Sequence, residues 1–593
     1  MNIPALKKMS PWFGLALIAA WPLLIANRGF DVSDTGFYLA GYRYVFSHPE
    51  VAPLSTLLSS WLGGLIYAAL PYGQLLALKL TCVLIYAAIA YWTFRMLRGH
   101  FPDWLILIGL ACASIHATTY IYVAGYNTFS YLFLSAALYL LYRALERDRL
   151  SCLLAAGALL GLNIFIRLPN ILHCAAAAVP LWHYWFCLGQ RRKGLKRAAQ
   201  FSLAYLGAVA AFCGLVWLAR GPEPFIQAFG YLGAVSGAAG TGLDSHNFLT
   251  LWEMFLNNIQ TGLEAAGLYV PGLLLGSLAL MGLMGAWPGF GLMKTVIAVG
   301  GPALAFLGGL AAGDPYSFLY PFQAATAPLI ALAGLLYYHR KNPLLSDISG
   351  MIIVVALAMP LGSDFGARHY AYYWHLALAG ALGLTCRLWL EAASRLERKR
   401  PGAVGGKAAL AANLTLWFMV GLQLPQLTGL EMRTSFMDLP YSRTTAAVEG
   451  VGPLAGMKTN PVRAVKLAQI ARELKPLADM KMVVMGQAPI CFLLSDAEPF
   501  FDDLWIDLHN TPAEAFAAEL ERGVALNRPP LILALDGSAD PGGRRWISFH
   551  KWRLLRFFIK KYNYVLHVDD VYYKLYLPPE RVFQAGGRRP AAL

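Results

Sequence analysis

Long apolar segments recur along the first 424 residues of this 593-residue chain. A helix needs about 20 apolar residues to cross the hydrocarbon core of a bilayer. We predict about thirteen crossings, from the segments 10–26, 74–94, 104–122, 128–144, 151–166, 171–188, 199–219, 266–286, 293–311, 316–337, 348–361, 372–390 and 408–424. Charged residues make up 14% of the chain, against about 25% in soluble domains. The sequence therefore predicts a polytopic α-helical membrane protein and excludes a cytosolic enzyme or a nucleic-acid binder.

The last 169 residues have a different composition. They hold 21 Lys or Arg and 18 Asp or Glu, which is the charge density of an ordinary soluble domain. We therefore divide the chain into a membrane domain, 1–424, and a soluble α/β domain, 425–593. In the second domain, patterning predicts helices near 463–475 and 511–522, strands at 481–486 and 530–535, and a hairpin on both sides of Asp569 and Asp570.

Basic residues indicate the orientation in the membrane. We take stretch 51–70 as a helix along the membrane surface and place the N-terminus inside. Loops on the inner side then hold 21 Lys or Arg and outward loops hold five, as the positive-inside rule requires. The sequence thus predicts a multi-pass protein of the inner membrane with a cytoplasmic N-terminus and an extracytoplasmic C-terminal domain.

The first outward loop carries two acids. It reads NRGFDVSDTGFYLAGYRYVF, with Asp31 and Asp34 three residues apart. A helical turn would put both carboxylates on one face. The alternative is that Asp34 or Ser33 caps a surface helix beginning at Thr35. Capping and catalysis are compatible, because an acid at a helix start is held in a fixed orientation.

This arrangement resembles the GT-C glycosyltransferases. The shared features are an N-terminal span, an outward loop with paired acids followed by Tyr38, an in-plane helix, many further spans and an extracytoplasmic α/β domain. In architecture the chain is similar to the lipid A aminoarabinose transferases and the protein O-mannosyltransferases. In those relatives an Asp-Glu pair often occupies the loop, whereas here Thr35 follows Asp34.

The resemblance implies an enzyme that passes a sugar, with inversion, from a polyprenyl-phosphate carrier to an acceptor hydroxyl outside the membrane. The acceptor is a glycan, a lipid or a protein. Asp34 matches the family position of the general base. Asp31 would be its partner, orienting the acceptor or binding a divalent cation such as Mg²⁺ or Mn²⁺.

Further candidates follow from the same chemistry. A leaving lipid phosphate needs positive charge, and the candidates for supplying it are Lys79, Arg167, Arg368 and His369. Arg167 has the alternative of a salt bridge to an outward Asp, and Lys79 that of snorkelling to the interface. Sugar contacts are expected from Tyr rings and from Asn and Asp side chains in outward turns, namely Tyr38, Tyr126, Asn127, Asn170, Asp314, Tyr316 and Asp364. Interfacial aromatics and turn formers are the alternative for this set.

Two other functions stay open. One is a polymerase or ligase of lipid-linked glycans, which handles the same substrates on the same side. The other is a transporter or flippase for a lipid-linked substrate. The charges cluster at one membrane face, whereas a transporter site belongs near the midplane. Cysteine and histidine spacing implies neither a zinc site nor a disulfide framework.

Overall fold

The structure is a computed structural model. It describes residues 10–118, 122–228, 315–360, 374–399, 438–506, 513–526, 528–536 and 549–582, with six further residues between 252 and 260. The described chain is mostly helical and ends in a domain built on a β-sheet.

Eleven α-helices of ten or more residues precede the sheet domain in the described residues. They are α1 (Pro11–Ala20), α2 (Asp34–Tyr44), α3 (Leu57–Ala68), α4 (Gln74–Leu97), α5 (Asp103–Ala117), α6 (Tyr126–Arg147), α7 (Leu150–Asn163), α8 (Arg191–Arg220), α9 (Pro315–Tyr338), α10 (Pro343–Ala358) and α11 (Trp374–Lys399). Between α7 and α8 the chain forms a 3-10 helix, Leu168–Ala177, and a π-helix, Trp182–Cys187. Helix α3 confirms the helix predicted within 51–70.

The predicted count of thirteen crossings is not reproduced. Within the described residues, α4, α6 and α8 are the three helices long and apolar enough to cross a membrane. Helices α1, α3, α5, α7 and α10 belong to apolar stretches of 10–17 residues, less than the roughly 20 that a rise of about 1.5 Å per residue requires. Helices α9 and α11 run for 24 and 26 residues, and their described apolar stretches are Ala327–Tyr338 and His375–Leu388. Segment 171–188 contains Pro180 and is divided among 3-10, α and π turns. Segments 266–286, 293–311 and 408–424 lie outside the described residues.

Helices α7 and α8 pack closely because small residues face the contact. A Cβ added at Gly157 would lie 2.4 Å from the Phe201 carbonyl oxygen, and one at Gly161 would lie 2.3 Å from that of Tyr205. Two glycines four residues apart that let backbones meet are typical of membrane helix pairs. The pairing of Gly157 with Phe201 and of Gly161 with Tyr205 shows that the two helices run parallel, so the start of α8 lies beside the start of α7.

The C-terminal domain is a five-stranded sheet with helices. Its strands are β3 (Lys481–Met485), β4 (Glu498–Pro499), β5 (Leu531–Leu535), β6 (Val565–Asp569) and β7 (Tyr573–Leu577), after a small pair, β1 (Ala446–Ala447) and β2 (Lys458–Thr459). The order across the sheet is β4-β3-β5-β7-β6, with β3 parallel to β4 and β5, and β7 antiparallel to β5 and β6. Its helices are α12 (Pro461–Leu474), α13 (Ala513–Ala525) and α14 (Phe549–Lys561). The predicted α/β pattern and terminal hairpin are confirmed.

The main buried core is continuous between the helices and the sheet. One cluster of buried apolar side chains includes Leu39 and Leu78 in the helical part and Val484 and Leu533 on one face of the sheet. A second cluster covers the opposite face of the sheet and includes Val483, Phe516 and Leu555. The sheet domain is therefore packed onto the helices rather than tethered to them.

Candidate active site around Asp34

Asp31 lies two residues before Ser33, the N-cap position of α2, and its side chain binds the first turn of the helix. Its side chain is buried and accepts hydrogen bonds from the Ser33 hydroxyl (3.0 Å), the Thr35 amide (3.0 and 3.2 Å) and the Thr35 hydroxyl (2.5 Å). A carboxylate offers about four lone-pair sites, so these contacts use its acceptor capacity. Burial raises the pKa of Asp31, and the bonds from Thr35 and Ser33 oppose that rise.

Asp34 is the first residue of α2 and is half-buried. One helical turn later, Tyr38 is buried, and its ring meets that of Tyr126 edge-on with 5.1 Å between centroids. Burial, the neighbouring Tyr126 and the charge of Asp34 raise the pKa of Tyr38 well above its usual value, so this phenol stays neutral. The structure thus brings together three predicted residues, Asp34, Tyr38 and Tyr126.

Residues at the start of α6 pack against this group. Tyr126 begins α6, directly before the buried Asn127, and Gly125 lies against the Tyr38 ring. A Cβ at Gly125 would come within 2.6 Å of that ring. The aromatic pair and Asn127 therefore line the same edge of the helical part as the start of α2.

Lys79 contacts the backbone of the first loop. It is buried in α4, and its Nζ donates to the Arg28 carbonyl at 2.9 Å and to the Gly29 carbonyl. Those contacts tie the first loop to α4. They also fix the ammonium group on backbone oxygens rather than on the surface.

Arg167 and Asn170 lie in a separate group at the junction of α6, α7 and α10. Asn170 donates to the Ser130 hydroxyl at 2.8 Å and to the backbone and side-chain oxygens of Asn163. Arg167 is buried and contacts the Met359 carbonyl at 3.4 Å. The remaining candidates Asp314, Asp364, Arg368 and His369 lie outside the described residues, and Tyr316 lies in α9 with no described side chain.

The C-terminal domain holds the loop from above, through residues that the sequence analysis missed. Asp438 accepts from the Phe30 amide at 3.2 Å, and Arg463 donates to the Phe30 carbonyl. The Arg463 and Asp438 side chains are both fully buried and lie 3.3 Å apart. No sequence signal could have paired them with Phe30, because the partners are more than 400 residues apart.

No known family model matches this sequence, and no curated protein sequence matches it. In fold the chain is similar to solved oligosaccharyltransferases of Archaeoglobus fulgidus. One, tethered to an acceptor peptide, is 12% identical at a TM-score of 0.46, over 89% of this chain and 69% of that one. Another, AglB with an inhibitory peptide and a dolichol-phosphate, is 12% identical at 0.41, over 90% and 70%. Both TM-scores lie below 0.5, so we infer the function from the site's own residues.

The described residues contain no group of three or more His, Cys, Asp or Glu that could hold a metal ion. The donor set around Asp31 does not fit a divalent cation either. Both of its oxygens already accept from Ser33 and Thr35, and a metal there would displace these hydrogen bonds. We derive no step through a metal.

Proposed function

We propose that this chain is an integral-membrane glycosyltransferase that moves a sugar from a polyprenyl-phosphate carrier to an acceptor hydroxyl on the extracytoplasmic side. The observation that carries the proposal is that the two acids of one loop differ in burial and in hydrogen bonding. Asp31 is buried, and its carboxylate accepts hydrogen bonds from Thr35. Asp34 is half-buried at the helix start beside Tyr38. A base must reach solvent-borne acceptors from a fixed position, and Asp34 meets both requirements.

The reaction then follows from Asp34. The acceptor oxygen attacks the anomeric carbon as the bond from that carbon to the phosphate oxygen breaks, and the lipid phosphate leaves with the electron pair. The acceptor proton passes to the Asp34 carboxylate. Positioned bases of this kind contribute about 10²–10⁴ to the rate. Attack opposite to the leaving group gives inversion.

The neighbours of Asp34 supply recognition in this proposal. The rings of Tyr38 and Tyr126 offer apolar faces to a sugar ring, and Asn127 offers an amide for its hydroxyls. We assign the lipid phosphate to Arg167, a lone Arg at the outer end of a predicted span beside Asn170. Both candidates have backbone partners, Lys79 on the Arg28 and Gly29 carbonyls and Arg167 on the Met359 carbonyl. The acceptor class stays open between glycan, lipid and protein.

The test compares two carboxamide variants in the same loop. Purified protein receives a radiolabelled polyprenyl-phosphate sugar mixture with candidate acceptors. Asp34→Asn should lower transfer by about 10²–10⁴ without changing the thermal unfolding midpoint. Asp31→Asn should instead lower that midpoint, because its amide nitrogen replaces one of the two oxygens that accept from Ser33 and Thr35, and a lost hydrogen bond costs about 0.5–1.5 kcal/mol.

Three results would count against the proposal or part of it. Transfer that survives in Asp34→Asn removes the base assignment and leaves the enzyme class standing. Movement of the lipid across vesicles without any acceptor would favour a transporter or flippase. Growth of the lipid-linked glycan itself would favour a polymerase or ligase.

A further inference from the structure

The end of α6 and the starts of α7 and α8 lie together, at the other end of α6 from Tyr126 and the first loop. Helix α6 ends at Arg147, α7 starts at Leu150 and α8 starts at Arg191. Helices α6 and α8 are two of the three long enough to cross a membrane. The turn between α6 and α7 and the first turn of α8 therefore lie where a spanning helix leaves the bilayer.

Asp148, in the turn between α6 and α7, forms ion pairs with two of the basic residues in this region. Asp148 accepts from Lys193 at 2.7 Å, from Arg197 at 2.8 Å and from the Tyr184 hydroxyl at 2.7 Å. The hydrogen bond from Lys193 is the largest cause that lowers the pKa of Asp148 to about 2. Asp148 therefore stays charged at physiological pH and keeps these two partners.

Four other cations of the same region have no acidic partner among the described residues. They are Arg149, Arg191, Arg192 and Lys196, and all four are exposed. Arg191 lies over the Trp185 ring, 4.6 Å from its centroid. Arg149 and Arg197 both line a shallow recess between α6, α7 and α8. We call the four unpaired residues the basic cluster.

Apolar side chains flank the basic cluster. Phe186 is 48% exposed, Leu188 42% and Leu195 48%. Exposed apolar groups beside unpaired cations at the end of a spanning helix suit the boundary between acyl chains and head groups. A soluble acidic partner would leave these apolar side chains in water, whereas a bilayer covers them.

We propose that the basic cluster binds the phosphate groups of anionic phospholipids in the leaflet at this face. Each Lys or Arg near an anionic surface contributes about 1 kcal/mol, or about fivefold in binding. The lipid phosphates pair with the four cations that Asp148 leaves unpaired, while Phe186, Leu188 and Leu195 contact the chains below. This inference does not depend on the proposed glycosyltransferase reaction.

The test uses the full chain in nanodiscs of phosphatidylcholine with a minor share of phosphatidylglycerol. Native mass spectrometry then measures which lipids stay bound. The wild type should retain phosphatidylglycerol in preference. The variant R149Q/R191Q/R192Q/K196Q should lose that preference by at least about tenfold. Raising the ionic strength to about 1 M, where the Debye length is about 3 Å, should weaken the preference of the wild type.

A matched control removes four exposed cations from the C-terminal domain, in the variant R443Q/R472Q/K475Q/R528Q. It lowers the net charge equally and should keep the lipid preference. Equal retention of phosphatidylglycerol by the wild type and the basic-cluster variant would overturn the proposal, as would equal loss in the control. All substituted residues are exposed, so both variants are expected to fold.

Discussion

Two acids three residues apart in one loop have opposite environments. The four hydrogen bonds to Asp31 come from side chains and an amide within the loop, and they are made while that carboxylate is buried. Asp34 lies between the two donor residues, Ser33 and Thr35, as the first residue of α2, and keeps partial exposure. The spacing predicted that the two acids act together. It could not predict which of them would be buried against the first turn of α2 and which would stay partly exposed.

At the same scale, a buried histidine without partners gives a stability prediction. His375 stacks on Tyr86 with ring centroids 5.5 Å apart, and neither of its ring nitrogens has a hydrogen-bond partner among the described residues. Each such group costs about 1–3 kcal/mol. His375→Phe should keep the stack and raise the free energy of unfolding, measured by thermal or denaturant unfolding in detergent.

The control for this change is Tyr131→Phe. The Tyr131 hydroxyl accepts the His375 backbone amide at 3.1 Å, so its loss should destabilise the protein by about 1 kcal/mol. A clear loss of stability in His375→Phe would show that the ring nitrogens are bonded in the folded protein.

At the scale of elements, α2 depends on close approach to the C-terminal domain. A Cβ added at Gly36 would lie 2.2 Å from the Ile490 amide nitrogen and 2.7 Å from its Cα. These are backbone atoms, so the domain has to move. Gly36→Ala should therefore cost about 1–3 kcal/mol and should lower sugar transfer by displacing Asp34, as measured by unfolding and by the transfer assay.

Gly41 of the same helix is the matched control. No atom lies within 4 Å of a Cβ added there, and alanine is favoured over glycine in a helix interior by about 1 kcal/mol. Gly41→Ala should leave transfer unchanged and raise stability. If Gly36→Ala behaved like Gly41→Ala, α2 would not be held against the C-terminal domain.

Helix and strand positions were largely predictable from sequence, and their lengths less so. Hydropathy located α4, α6 and the core of α8 because each is one continuous apolar run. It failed at 171–188, where composition is apolar but the backbone changes from 3-10 to π turns. Apolar composition reports burial, and a sequence window carries no information on which hydrogen bonds the backbone forms.

At the scale of the whole molecule, the helical part and the sheet domain share polar contacts as well as a core. Arg28 donates to the Tyr441 carbonyl at 3.1 Å, and Arg43 pairs with Asp496 at 2.7 Å. Backbone bonds join Gly29 to Lys458 and Ile490 to Val32. Contacts over such separations depend on the finished fold, which is why the sequence predicted two domains and not their joint.

The buried Arg463–Asp438 pair gives an asymmetric prediction for this joint. Without Arg463, Asp438 still accepts from the Phe30 and Leu439 amides, from the Thr459 hydroxyl and from the Asn460 side chain. Without the Asp438 charge, Arg463 stays fully buried and loses this ion pair. Asp438→Asn should thus cost about 3–5 kcal/mol, and Arg463→Met should cost less.

Unfolding of both variants in detergent, followed by a probe in each domain, measures this difference. Because one core spans both parts, each variant should unfold in a single transition at a lower midpoint, and the double variant should lose less than the sum of the two. A sheet domain that keeps its own midpoint in Asp438→Asn would show that the two parts fold separately. In that case the C-terminal domain would no longer hold the loop that carries Asp34. Sugar transfer should then fall even at temperatures where both parts are folded.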